Sequence, residues 1–168
     1  MNATGPIIMS TFAAIWWVVG VRGSSAPLAV AYGFPVLVAA AIVGLALGCA
    51  HDDAASADEQ ARRGRLVGIA SATEGIAIFL AVNVLINMGW RDFIAPVIAI
   101  IVGLHFLPLA RALPARLYYV TCALMVSVGL AGFMIAAAQQ RLVIVTIGAA
   151  VVLWLTSSAV AWFGTAAR

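Results

Sequence analysis

Six long apolar runs dominate the sequence, and they restrict the fold more than any other feature. Five of the runs are about 20 residues long, the length that an α-helix needs to cross the hydrocarbon core of a bilayer, and the first is the shortest. They lie near residues 7–21, 27–49, 66–88, 93–110, 117–138 and 142–163. The connections between them are too short to form a second domain. We therefore predict an all-α integral membrane bundle of six transmembrane helices, with residues 1–168 forming a single transmembrane domain.

Composition argues against the other fold classes. Only 9% of the 168 residues are charged and 65% are hydrophobic, whereas soluble domains contain about 25% charged residues. A transmembrane β-barrel would need short segments that alternate apolar and polar side chains, and the runs here are continuously apolar. The nine basic residues are all arginines near the ends of apolar runs, and they form no patch. We therefore expect the lipid bilayer as a partner and no nucleic acid.

The distribution of arginines predicts the orientation of the chain. Cytoplasmic segments next to membrane spans are enriched in positive charge. The polar stretch 51–65, which we interpret as a cytoplasmic loop, lies on the side with six arginines, and the opposite side has three. The six are Arg62, Arg63, Arg65, Arg111, Arg116 and Arg168, and the three are Arg22, Arg91 and Arg141. We expect both termini in the cytoplasm and the protein in a bacterial cytoplasmic membrane.

Two ionisable side chains lie well inside the predicted spans. They are Glu74 on the third helix and His105 on the fourth. Counted from the cytoplasmic ends of their helices, the two residues lie within about 3 Å of the same depth. Because the helices are consecutive and tightly connected, we expect the side chains to meet. Charged groups at membrane depth are costly, so we interpret the pair as a coupled proton site with catalytic or transport chemistry.

Other polar residues are candidates for binding a substrate. Four of them map to the level of Glu74: Ser71, Tyr118, Tyr119 and Ser157. Two amides, Asn83 and Asn87, lie nearer the outer surface, where they could form a gate. The simpler alternative is that the hydroxyls bond their own helix backbone and the amides join neighbouring helices. Both alternatives stay open at this stage.

The sequence indicates neither a cofactor nor a metal. His51, Asp52 and Asp53 are residue types that bind metals, but no second cluster at a diagnostic spacing accompanies them.

Gly44 and Gly48 are separated by one helical turn, a pattern suited to close helix contact or to dimerisation.

The segment Ile101-Val-Gly-Leu-His105-Phe-Leu-Pro108-Leu-Ala110 resembles a segment of small uncharacterised bacterial membrane proteins with several helices. The resemblance covers about the third and fourth helices and implies no particular function.

Three hypotheses follow. The leading one is a proton-coupled transporter of a small molecule that acts as a homodimer, with Glu74 and His105 as its proton site open to the cytoplasm. The second is an intramembrane enzyme, of the isomerase or cyclase type, that uses the same pair for acid/base chemistry on a lipophilic substrate. The third is an accessory or scaffolding subunit that docks to a larger membrane protein through the face of Gly44 and Gly48.

Overall fold

A computed structural model describes residues 4–22, 26–48, 56–113 and 116–163. Its regular structure consists of six α-helices and two short helical segments of other types. The helices are α1 (Thr4–Val21), α2 (Phe34–Gly48), α3 (Ala57–Asn87), α4 (Ile94–Ala112), α5 (Leu117–Met134) and α6 (Ala138–Phe163). A π-helical segment, Ala29–Gly33, precedes α2, and a 3-10 turn, Arg91–Phe93, precedes α4.

The predicted all-α fold with six membrane-spanning helices is confirmed. Within the described ranges, six helical segments are long and apolar enough to cross a bilayer. The chain is therefore a multi-pass membrane protein. The mean hydropathy of its most apolar windows lies between 1.6 and 2.3.

α3 begins earlier than the hydrophobic pattern indicated. Residues 57–65, which we expected in the polar loop, are helical, and residues 51–55 lie outside the described ranges. The hydroxyl of Ser56 caps the helix by accepting a hydrogen bond from the N–H of Glu59, at 3.3 Å. Glu59 then pairs with Arg62 at 3.1 Å and with Arg63 at 3.0 Å, one turn further on. Hydropathy misses this segment because a cap and pairs between successive turns support helix without apolar residues.

α3 ends in a compact turn at Gly89. The N–H of Gly89 bonds to the carbonyl of Ile86, and the N–H of Trp90 bonds to the carbonyl of Leu85. This pair of bonds defines the Schellman motif, in which the residue after the helix adopts a left-handed conformation. Gly89 has a φ of 77°, which glycine adopts without a steric penalty.

The turn between α5 and α6 also differs from our expectation. We predicted it at Gln139, Gln140 and Arg141 because these residues are polar, but the helix is interrupted at residues 135–137 instead. The two glutamines lie in the first turn of α6, where their side chains are exposed. Polar residues are well accommodated at the end of a membrane helix, so their presence did not define the turn.

The helices form two compact units. The first contains α1, α2 and α6 from Thr146 onward, and the second contains α3, α4, α5 and α6 up to Val145. In the first unit, Gly20 of α1 lies against the side chain of Thr146, where a Cβ atom would not fit. Trp17, Phe34 and Trp154 form an aromatic cluster with ring centroids 4.8 to 5.9 Å apart.

In the second unit, glycines allow α4 and α5 to approach closely. A Cβ atom on Gly103 would lie 2.9 Å from Cβ of Met125, and one on Gly129 would lie 2.7 Å from the carbonyl oxygen of Pro96. Small residues are common where membrane helices pack backbone to backbone. This contact holds α4 in place, and α4 in turn positions His105 against α3.

Candidate functional site

Glu74 lies on the side of α3 that packs against α4. Partly buried residues recur along this side at spacings of three and four, as in the series Val67, Ala70, Glu74, Ala77 and Ala81. Such spacing places the side chains on one stripe of the helix. Glu74 is the acidic member of a stripe that is otherwise apolar.

The expected approach of Glu74 to His105 is present. Oε2 of Glu74 lies 3.5 Å from Nδ1 of His105, and the two side chains are 20% and 11% exposed. The imidazole also faces the main chain of Ala70, one turn before Glu74. Nδ1 is buried, and within the described part of the chain it makes no hydrogen bond of good geometry. The pair is thus in contact but loosely joined, at the outer limit of hydrogen-bond distance.

Small residues surround Glu74 on its exposed side. Ser71, one turn earlier, and Gly75, the next residue, are both exposed. A Cβ atom on Gly75 would meet no atom within 4 Å. The carboxyl group is therefore approachable from this side of α3.

Tyr118 and Tyr119 are adjacent on α5 but differ in environment. Tyr118 is buried, and its ring centroid lies 5.6 Å from that of Phe106. The Phe106 ring lies 5.9 Å from the His105 imidazole, so a continuous series of rings links Tyr118 to the candidate proton site. Tyr119 is exposed.

Asn83 and Asn87 bond to their own helix. The side-chain amide of Asn83 donates to the carbonyl of Phe79 at 2.7 Å, and that of Asn87 donates to the carbonyl of Asn83 at 2.8 Å. Both residues are exposed on α3. The structure thus gives their amide nitrogens partners within α3, while a gate and a bond between neighbouring helices both stay predictions.

Ser157 belongs to the other unit and lies at a helix contact there. Its hydroxyl donates to the carbonyl of Pro6 at 2.7 Å, and the residue is fully buried. This hydrogen bond joins α6 to α1. The contact gives Ser157 a structural role in the first unit.

Sequence reasoning missed the environment of Arg141, which it counted as a loop residue. Arg141 is 6% exposed, and its guanidinium donates to the carbonyls of Gly132 and Ile135 at 2.6 to 3.1 Å. Its central carbon also lies 4.1 Å from the ring centroid of Phe93. An arginine next to the end of a helix can bind the last free carbonyls, so Arg141 caps α5. Its position just before an apolar run was the one available signal.

The possible metal ligands and the glycine pair of the second helix remain. His51, Asp52 and Asp53 lie outside the described residues. Gly44 and Gly48 are exposed, and a Cβ atom on either would meet no atom within 4 Å. The two glycines therefore make no close contact with the described helices of their own chain, and their face is open.

Comparison with known proteins adds no relative to this description: no protein-family model, no curated protein and no solved structure matches the chain.

Proposed function

We propose that this protein is a proton-coupled transporter of a small molecule and that Glu74 and His105 form its proton site. The observation that carries the proposal is the 3.5 Å contact between the carboxyl group and the imidazole on adjacent membrane helices. Ionisable residues at membrane depth commonly mark proton relays and substrate pathways. These are also the two ionisable residues that lie deepest in the predicted spans.

The loose geometry of the pair supports a site that exchanges protons. A carboxyl group and an imidazole in contact titrate as a coupled unit, so that one proton can be held by either group. A strong, fully satisfied hydrogen bond would fix that proton in place, whereas Nδ1 of His105 lacks such a bond within the described residues. The side chain of Glu74 is 20% exposed, so its carboxyl group is not sealed inside the bundle.

The remaining parts of the proposal concern the setting of the protein. We place the chain in a bacterial cytoplasmic membrane, with both termini and the start of α3 toward the cytoplasm, because arginines favour that side. We also propose a homodimer, since six helices barely enclose a pathway and the face of Gly44 and Gly48 is open. Light scattering of the purified protein measures the oligomeric state directly.

Infrared difference spectroscopy of the carboxyl group tests the proton site. Wild-type protein in nanodiscs should show a carboxyl band that changes with pH and is absent in Glu74→Gln. Replacing His105 by Ala should shift the midpoint of that change, because the two groups share a proton. Asn83→Ala is the matched control, since its amide bonds within α3, and it should leave the midpoint unchanged. A Glu74 band that does not change with pH, or whose midpoint is indifferent to His105, contradicts the proposal.

A further inference from the structure

Glu74 is the member of the pair that a ligand meets first. Its side chain is 20% exposed, whereas that of His105 is 11% exposed and faces both Glu74 and the main chain of Ala70. A ligand that approaches from the exposed side of α3 therefore encounters a carboxyl group. An anionic ligand would be repelled by the ionised form of this group, and a cationic ligand would be attracted.

The surface next to the carboxyl group suits an apolar ligand. Its exposed neighbours on α3 include Ser71, Thr73 and Gly75, and the space beside Gly75 is open. The hydroxyl of Thr73 donates to the carbonyl of Ile69 within α3, so it is already bonded. Ile78 follows Glu74 by one turn on the same side of α3 and is partly exposed. Leu104, which precedes His105 on α4, is exposed. All of these residues lie within membrane-spanning helices, so the approach to Glu74 is bordered by hydrocarbon.

Metal ions fit this site poorly. Hard cations such as Mg²⁺ and Ca²⁺ bind through six or more oxygen ligands. Within the part of the chain that the structure describes, no three His, Cys, Asp or Glu side chains are grouped so as to hold a metal ion. A single carboxyl group with an apolar border matches instead an organic cation, whose charge needs one counter-ion and whose body needs apolar contact.

We propose that the transported ligand is a lipophilic monovalent organic cation that enters from the bilayer and displaces the proton held by Glu74 and His105. This inference rests on the proposed function and specifies its substrate class. The carboxyl group can pair with the proton or with the cation, and each excludes the other. Cation binding therefore releases the proton of the carboxyl group to water on the cytoplasmic side, and this exchange couples proton movement to transport.

Binding of tetraphenylphosphonium to the full-length protein in nanodiscs tests the inference. We expect saturable binding, measured by equilibrium dialysis, with release of a proton that a pH indicator detects in weakly buffered solution. Raising the proton concentration should weaken binding competitively. Glu74→Gln should weaken binding by about tenfold or more and abolish proton release, because the counter-ion is lost. Glu59→Gln, the same substitution on the same helix at a carboxyl group paired with Arg62 and Arg63, should bind as wild type does.

A second pair of variants tests the position of the ligand without changing a charge. Gly75→Leu fills the open space beside Glu74 and should weaken tetraphenylphosphonium binding, while the infrared band of Glu74 still changes with pH. Gly64→Leu is its matched control, since Gly64 is equally open but lies about three turns earlier on α3. It should leave binding unchanged.

The outcomes separate this inference from the proposed function. If Glu74 titrates in a manner coupled to His105 but tetraphenylphosphonium does not bind, the substrate class is wrong and the proton site stands. If Glu74→Gln binds the cation as tightly as wild type, the cation has only partitioned into lipid and the inference is overturned. If Glu74 does not titrate at all, both proposals fail.

Discussion

Two charged residues of the second unit are accommodated in different ways. Arg141 donates to main-chain carbonyls at the end of α5 and stacks on Phe93, so its charge serves a fixed structural contact. Glu74 faces a single imidazole at 3.5 Å and remains partly exposed. A charge that is saturated by the backbone stabilises the fold, whereas one with a loose, titratable partner is available for chemistry.

Replacing Arg141 should therefore destabilise the protein without removing the contact between Glu74 and His105, our proposed proton site. Arg141→Gln removes the guanidinium donors from the carbonyls of Gly132 and Ile135, and we expect the free energy of unfolding to fall by about 2–3 kcal/mol. Circular dichroism during titration with a denaturing detergent measures this change. Arg91→Gln is the matched control because Arg91 is exposed and lies in the same short turn as Phe93, on which Arg141 stacks. Equal stability of the two variants would show that the cap contributes nothing.

At the scale of the elements, glycine has opposite roles in neighbouring helices. Gly103 and Gly129 lie where α4 and α5 approach closely, and a Cβ atom on either would collide with the facing helix. Gly68 on α3 is exposed, and the space beside it is open. The same substitution should thus change stability in opposite directions at the two kinds of position.

We expect Gly129→Ala to lower the free energy of unfolding by about 1–3 kcal/mol, because the added methyl group forces the helices apart. Gly103→Ala should act in the same direction. Gly68→Ala should raise stability by about 0.5–1 kcal/mol, because alanine favours helix and meets no obstacle. Detergent-induced unfolding of the three variants provides the comparison. Destabilisation by Gly68→Ala equal to that by Gly129→Ala would contradict the assigned contact.

The sequence predicted the elements well where apolar length determines them, and less well at their ends. All six spans were anticipated, but α3 begins before its apolar run because Ser56 and the Glu59 pairs support helix without hydrophobic residues. The turn after α5 was misplaced because the polar side chains of Gln139 and Gln140 are tolerated inside the first turn of α6. Capping contacts depend on which residues are close in space, and a hydropathy profile carries no information about that.

The candidate site could be predicted in part. The pairing of Glu74 with His105 follows from depth alone. In consecutive antiparallel helices, two residues that are equally far from the same membrane face lie at the same level. The environments of Ser157 and Arg141 could not be predicted, since they depend on contacts with Pro6 and Phe93, which are remote in sequence. Periodicity gives the face of a helix but not the identity of its neighbour.

At the scale of the whole molecule, the number of membrane crossings fixes which ends of the helices share a side. With six spans, the start of α3 and the end of α4 lie on one side, and the turn at Gly89 lies on the other. We propose that the first side is cytoplasmic and the second is the exterior, because arginines are more numerous on the first.

Labelling of single cysteines in intact cells tests this orientation. In a background without Cys49 and Cys122, Ala61→Cys should resist a membrane-impermeant maleimide, because its position is cytoplasmic. Met88→Cys, exposed at the opposite end of α3, should react. Both should react after the cells are broken, which controls for accessibility. The reverse pattern in intact cells would invert the proposed topology and move the entrance of the proton site to the outer face.

The length of α3 also sets the vertical position of the site. Its 31 residues extend over about 46 Å, whereas the hydrocarbon core is about 30 Å thick, so its first turns reach the level of the lipid headgroups. At that level Arg62 and Arg65 can bind lipid phosphates, and these contacts would hold the start of α3 at the membrane surface. Glu74 follows Arg65 by nine residues, which places it about 14 Å below that level whatever the thickness of the membrane. The spacing between the arginines and Glu74, and not the thickness of the membrane, would then determine how deep a proton travels to the proposed site.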